Sequence, residues 1–198
     1  MPTVATSSLR SETLSNLSAT VPGKLLIGFA ATAVVAAAAH VSVPLPFTPV
    51  PLTLQPLAVL GVGLALGPVG GFLTMLAYLA EGAMGLPVFS PAGPGGVAQL
   101  MGPTGGFLMI YPAVAALVGG LTRTLSARIS SFSSALIAGH LAMALLLLSG
   151  ATWLMMLTHL SSHQVLVAAV LPFLPGEIVK VIVAAGIYST LTKIRRIQ

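Results

Sequence analysis

Apolar positions run on along this chain in long blocks, broken by glycine, proline or a basic residue. The blocks lie near residues 24–41, 54–67, 68–86, 106–122, 132–150 and 175–192. A helix needs about 20 apolar residues to cross a ~30 Å hydrocarbon core, so the pattern predicts six membrane-spanning helices. The second block is short, and its boundary with the third rests on Gly67-Pro68. Proline is tolerated in a first helical turn, so this dipeptide is read as opening the next helix.

The basic residues test that count. With six spans, Arg10, Lys24, Arg123, Arg128, Lys193, Arg195 and Arg196 all fall on one side. The opposite loops, near 42–53, 87–105 and 151–174, contain no Lys or Arg. The positive-inside rule then predicts that both termini are cytoplasmic. Five spans would put the C-terminal basic cluster outside. The domain reading is therefore a disordered cytoplasmic tail over 1–23, a six-helix membrane domain over 24–192 and a basic cytoplasmic tail over 193–198.

Composition agrees. Charged residues make up 6% of the 198-residue chain and apolar ones 56%, whereas a soluble domain carries roughly a quarter of its residues charged. The solvent is lipid. The net charge of +5 sits at the edges of apolar blocks, which fits membrane topology and not nucleic-acid binding. With no cysteine, disulfides, thiolate nucleophiles and thiolate metal sites are excluded. His40, His140, His159 and His163 lack metal-ligand spacing, so no metal or cofactor is expected. His140 is placed inside a span, where it could bond across helices. A nucleophile elbow, a phosphate loop and paired intramembrane carboxylates are also lacking. The chain is not read as an enzyme, and ATP hydrolysis would fall to a partner.

The outer connections are unusual. "VPLPFTPVPLTLQP" holds Pro44, Pro46, Pro49, Pro51 and Pro56, too many for a helix and suited to a stiff extended segment. "GLPVFSPAGPGGVAQLMGPTGG" is rich in Gly and Pro, yet apolar. Irregular backbone near a membrane is buried in protein or lines a cavity, so these loops read as a lid or pocket wall, or else as tight connections. "GPVGGFL" at 67–73 and "GPTGGFL" at 102–108 echo one another. Either an inverted repeat or a shared Gly-Pro helix start produces that.

The chemistry concentrates in "LPFLPGEIVKVIVAAG". Pro175 and Gly176 mark a helix start, placing Glu177 in the first turn, where the helix dipole favours a carboxylate. Lys180 follows one turn on, on the same face. A lysine within a membrane costs about 2.5–3.5 kcal/mol on insertion scales, and pairing offsets only part of that. Two readings stand: a structural ion pair, or a ligand site joining an acceptor to a donor. Gln99 is a weaker candidate in the third connection. Glu81 is expected in water at the outer interface, Thr48, Thr53 and Gln55 as loop or helix-cap groups, and Trp153 and Tyr111 as interface anchors or packing. Ala33 and Ala37 give the first span a small-residue face, for packing inside the bundle or for a partner.

"VPLPFTPVPLTLQPLAVL", "GLPVFSPAGPGG", "GPTGGFL" and "PFLPGEIVK" occur in this order in a chain read as having six spans. That combination resembles the BioY family, the biotin-specific substrate-binding subunits of energy-coupling factor (ECF) transporters, over about residues 24 to 192. The resemblance implies an extracytoplasmic pocket closed by the outer loops and binding biotin at Glu177 and Lys180. It also implies a coupling protein and two ATPase subunits, docked on the face of Ala33 and Ala37 in a bacterial cytoplasmic membrane. Apolar walls would come from "PLPFTP" and "GLPVF", hence Phe47 and Phe89, with Gln99 nearby. The family motif usually has aspartate where this chain has Glu177, and some relatives carry a basic residue around Gln99. The rival reading is a self-sufficient secondary transporter of biotin or another small vitamin.

Overall fold

The computed structural model describes residues 20–197. Of the expected tail over 1–23, residues 1–19, with Arg10 and Glu12, lie outside the described residues, and Val21–Gly23 are already helical because Thr20 caps a helix there. The first helix, α1, spans Val21–His40 and opens on Thr20, whose hydroxyl accepts from the Gly23 amide at 3.2 Å. It buries a stripe of Thr32, Val35 and Ala39 against the second helix. Next comes the proline-rich segment, extended only at its two ends and turned back on itself between them, while Pro56 falls in the first turn of the following helix, where a missing N–H costs nothing. Ser42–Val43 (β1) pairs antiparallel with Leu52–Thr53 (β2), Ser42 opposite Thr53.

The second helix, α2, spans Gln55–Ala83 but is no straight rod. At Gly67 the backbone takes φ 76°, ψ −174°, and Pro68 follows. A side chain there would strain the backbone and strike the Arg123 guanidinium; proline then starts the second arm with its φ already helical. Residues 23 apart on a straight helix would be roughly 34 Å apart, yet the Gln55 amide donates to the Tyr78 hydroxyl at 2.8 Å. The two arms, 55–66 and 68–83, therefore form an antiparallel hairpin broken where the sequence predicts.

The next predicted block, 106–122, is delivered in two pieces. One turn of helix, α3 (Gly96–Leu100), lies in the loop before it, followed by α4 (Gly105–Met109) and α5 (Tyr111–Leu125). Pro112 lacks the N–H that would continue α4 into α5. Helix α5 lies against both arms of α2 at backbone contact. A Cβ added at Gly63 would sit 2.4 Å from the Ala115 carbonyl oxygen, and one at Gly119 2.5 Å from that of Gly63. Small residues allow this approach where lipid supplies no hydrophobic drive.

Helix α6 spans Ser131–Thr158, capped by the Ser130 hydroxyl on the Ser133 amide and ended by His159 in the left-handed region. It runs two turns past the predicted 150. The connection expected over 151–174 is thus largely helical, because a short helix, α7 (Ser162–Ala169), also lies in it, opened by a reciprocal Ser161–Gln164 cap. The last helix, α8, spans Leu174–Ile197, so Lys193 and Arg195 stand on its final turns. Among the described residues, four helices are long and apolar enough to cross a membrane: α1, α2, α6 and, over Leu174–Arg195, α8. One of these four is the folded hairpin.

The two ends of this bundle differ in kind. Gln55, Tyr111 and Glu177 stand at the starts of α2, α5 and α8 and line one cleft. At the other end, Arg123 of α5 donates to the Leu66 carbonyl, and Arg195 of α8 shares a crevice with Leu64 and Ala65. The bundle is polar and acid-bearing at the cleft end and basic at the other.

Candidate functional site

The cleft is built from backbone irregularity as much as from helices. Val50, Pro51 and Thr53 come from the extended segment, Ser90 and Gln99 from the apolar loop and α3, and Phe107 and Leu108 from α4. Tyr111, Leu146, Leu147 and Phe173 complete the apolar wall. Counted out to its open mouth, the empty space is about 510 Å³. Phe107 reaches it because Gly150 leaves room: a Cβ there would lie 2.2 Å from the Phe107 ring. The Phe107 and Phe173 rings then pack 6.4 Å apart.

Glu177 and Lys180 line this cleft together. They are 5% and 6% exposed, and the Lys180 Nζ donates to Glu177 Oε1 at 2.7 Å. Glu177 Oε2 is buried and makes no hydrogen bond. A buried unsatisfied carboxylate oxygen costs about 1–3 kcal/mol or more. The pair therefore sets an unpartnered, buried acceptor next to a bound ammonium at the cleft wall. Acceptor and donor share one helix face, as their spacing predicts for a structural pair and a ligand site alike, and they stand beside an apolar wall.

The other predicted residues divide. Gln99 borders the cleft, but its amide is engaged: Oε1 accepts from the Gly95 amide at 3.1 Å and Nε2 donates to the Ser90 carbonyl at 3.3 Å. It braces the loop. Phe89 is buried away from the cleft, its ring over Gly82 and edge-on to Tyr78 at 5.5 Å. Phe47 is 61% exposed and is not among the cleft residues, since it stands in the turn of this segment, whose buried residue at the cleft is Val50. Ala33 and Ala37 are exposed, on the side of α1 opposite its buried stripe, which excludes packing inside the described bundle.

Some expectations fail. Glu81 is not in interfacial water; it is buried and accepts from the Thr32 hydroxyl at 3.0 Å, because α1 packs against this end of α2. His140 bonds its own helix at the Leu136 carbonyl and not a neighbouring one. Gln55 is no cap. It is buried in the cleft wall and holds the Tyr78 hydroxyl, which donates in turn to the Val88 carbonyl at 2.6 Å. Thr53 also borders the cleft. Trp153 packs on Gly106 and donates to the Gly102 carbonyl at 2.8 Å, tying α6 to the loop.

The model of the BioY family matches residues 12–197. The chain belongs to the BioY family. A probable biotin transporter BioY of Pyrococcus horikoshii is 35% identical over 143 residues, 72% of this chain and 81% of that one. One of Bacillus subtilis is 38% identical over 74 residues, 37% of this chain and 39% of that one. Among solved structures, this BioY-family chain resembles the S-component for biotin from an ECF-type ABC transporter, determined at 2.1 Å. The TM-score is 0.77 at 27% identity, covering 86% of this chain and 90% of the other. Members of the BioY family are transporter components and not enzymes.

Proposed function

We infer that this chain binds biotin as the substrate-binding subunit of an ECF-type transporter. One observation carries the reading: a buried Glu177–Lys180 pair in an apolar cleft, with Glu177 Oε2 unpartnered. Biotin's ureido group has two N–H donors and a carbonyl oxygen. An N–H meets Oε2, the carbonyl meets the Lys180 ammonium, and the fused rings lie against Phe107, Leu147 and Phe173. The carboxylate then points toward the loops. The orphan acceptor favours this orientation over its reverse, because a carboxylate has no proton to donate at neutral pH.

The chain is read as crossing a bacterial cytoplasmic membrane six times, the arms of α2 counting as two crossings, with both termini cytoplasmic. Support comes from Lys24, Arg123 and Arg195 gathering at the end opposite the cleft, as the positive-inside rule requires. The exposed Ala33–Ala37 face of α1 receives the membrane coupling protein, which two ATPases drive. A free small-residue stripe suits close helix approach.

Equilibrium binding to purified protein tests this, with riboflavin and thiamine as controls. Tight binding of biotin alone is expected, and Lys180→Ala should weaken it by at least about tenfold, since truncating one partner of a buried charge pair costs about 2–5 kcal/mol. Biotin methyl ester should bind nearly as well as biotin. Loss with the ester but not with ring-modified analogues would reverse the orientation. Unchanged affinity in a folded Lys180→Ala variant would remove the pair from the site.

A further inference from the structure

Away from the cleft, at the basic end of the bundle, an apolar groove runs between α1 and α2. Ile27 and Phe29 form one wall, Val69, Leu73 and Ala77 the other, and Lys24 stands at the end beside Leu66. Its empty space, counted to the open side, is about 1170 Å³. We propose that this groove binds one anionic phospholipid, with the phosphate held by Lys24 and Arg123 and an acyl chain laid along the apolar walls.

Charge complementarity chooses the occupant. Arg123 donates to the Leu66 carbonyl from across the Gly67 turn, and Lys24 borders the groove at the same Leu66. Among the described residues neither has an ion pair. The two described carboxylates are engaged elsewhere, Glu81 with Thr32 and Glu177 with Lys180. One cation bordering the groove, Lys24, and a second, Arg123, bonded to the groove residue Leu66, match an anionic headgroup over a chain.

Length adds a reason for the lipid to be held there. The first arm of α2, residues 55–66, is only about 18 Å long at 1.5 Å per residue, against a hydrocarbon core of about 30 Å. A hydrophobic segment shorter than the core thins the bilayer locally and draws headgroups toward the protein. Lys24 and Arg123 stand at the end of that arm. The orientation proposed above decides only which leaflet supplies the lipid; the site itself does not depend on it.

Native mass spectrometry of the full chain, offered equal phosphatidylglycerol and phosphatidylcholine, tests the proposal. One phosphatidylglycerol per protomer should be retained, at least about fivefold over phosphatidylcholine, with Lys24→Gln and Arg123→Gln each lowering retention about fivefold, the worth of one basic residue near an anionic surface. Arg123→Lys should keep it. Gly28→Leu fills the groove floor, where an added Cβ lies 3.7 Å from the Thr74 hydroxyl, and should lower retention without altering charge. Equal retention of the two lipids, or an equal loss with Arg128→Gln on the neighbouring loop, overturns the site. A dimer peak that disappears with Gly28→Leu assigns the groove to a second copy of the chain and also overturns it. Biotin affinity, measured on the same samples, should stay within about twofold, since these groups are remote from the cleft and distant sites act nearly independently. Its loss would point to misfolding and not to the lipid.

Discussion

Glu81 and Glu177 are the two carboxylates among the described residues, and they differ in surroundings more than in burial. Both are at most 9% exposed. Glu81 meets a neutral hydroxyl, Thr32, in the packed seam between α1 and α2. Glu177 meets Lys180 within one turn of α8 and leaves its second oxygen unpartnered at the wall of a cleft. Burial of an acid inside a membrane bundle is thus not by itself the mark of a ligand site. The combination of a paired charge, an unmet acceptor and adjoining empty space is what supports the proposed biotin site at Glu177.

The largest effect should come from breaking the Glu177 side. Glu177→Ala leaves Lys180 buried without its partner, which costs about 3–5 kcal/mol. Biotin titration should show affinity lost by more than about a hundredfold, and thermal unfolding in detergent should show the drop in stability. A double variant, Glu177→Ala with Lys180→Met, should recover much of the stability and none of the binding. Recovered binding would mean that the cleft holds biotin by its apolar walls alone.

An intermediate effect should come from Gln55, which joins the two regions: it borders the cleft and holds Tyr78, three residues before Glu81 on the same arm. Gln55→Leu removes the donor to the Tyr78 hydroxyl but leaves that hydroxyl bonded to the Val88 carbonyl. One lost hydrogen bond is worth about 0.5–1.5 kcal/mol, so biotin affinity should fall about two- to tenfold. A fall as deep as that of Glu177→Ala would make Gln55 a direct ligand contact.

The contrast also shows where sequence reasoning reaches. Glu177 and Lys180 were legible because charges are so rare here that two of them, three residues apart after Pro-Gly, have few bland explanations. The Gly67-Pro68 break was legible because only glycine reaches that backbone conformation without strain and proline suits a first turn. Gln55 was not, since its partner lies 23 residues away and only the fold-back brings them together. Glu81 looked like an interfacial residue because it stands near the end of an apolar block, and the block does not reveal that Thr32 of α1 packs against it. Phe47 shows the same limit from the other side: composition marks the proline-rich segment as rigid and apolar, but not which of its side chains face inward. The extra turns of α6 lack the glycine and proline punctuation that set the other boundaries.

The smallest effect on binding should come from the Thr32–Glu81 contact, and it decides whether that carboxylate is only structural. Thr32→Val keeps the shape of the side chain and removes the hydroxyl that donates to Glu81. Thr32→Val should destabilise the protein by about 1–3 kcal/mol, the cost of leaving a buried acceptor unmet, and Glu81→Gln should relieve part of that loss in the double variant. Biotin affinity should stay within about twofold in all three proteins, because the seam contact and the cleft share no side chain and such sites act nearly independently. Uptake in cells separates the remaining roles. Uptake unchanged by Glu81→Gln leaves the residue as packing between α1 and α2. Uptake that falls while binding holds would place Glu81 in the movement of α1 against the hairpin, and burial alone would then have marked a working group after all.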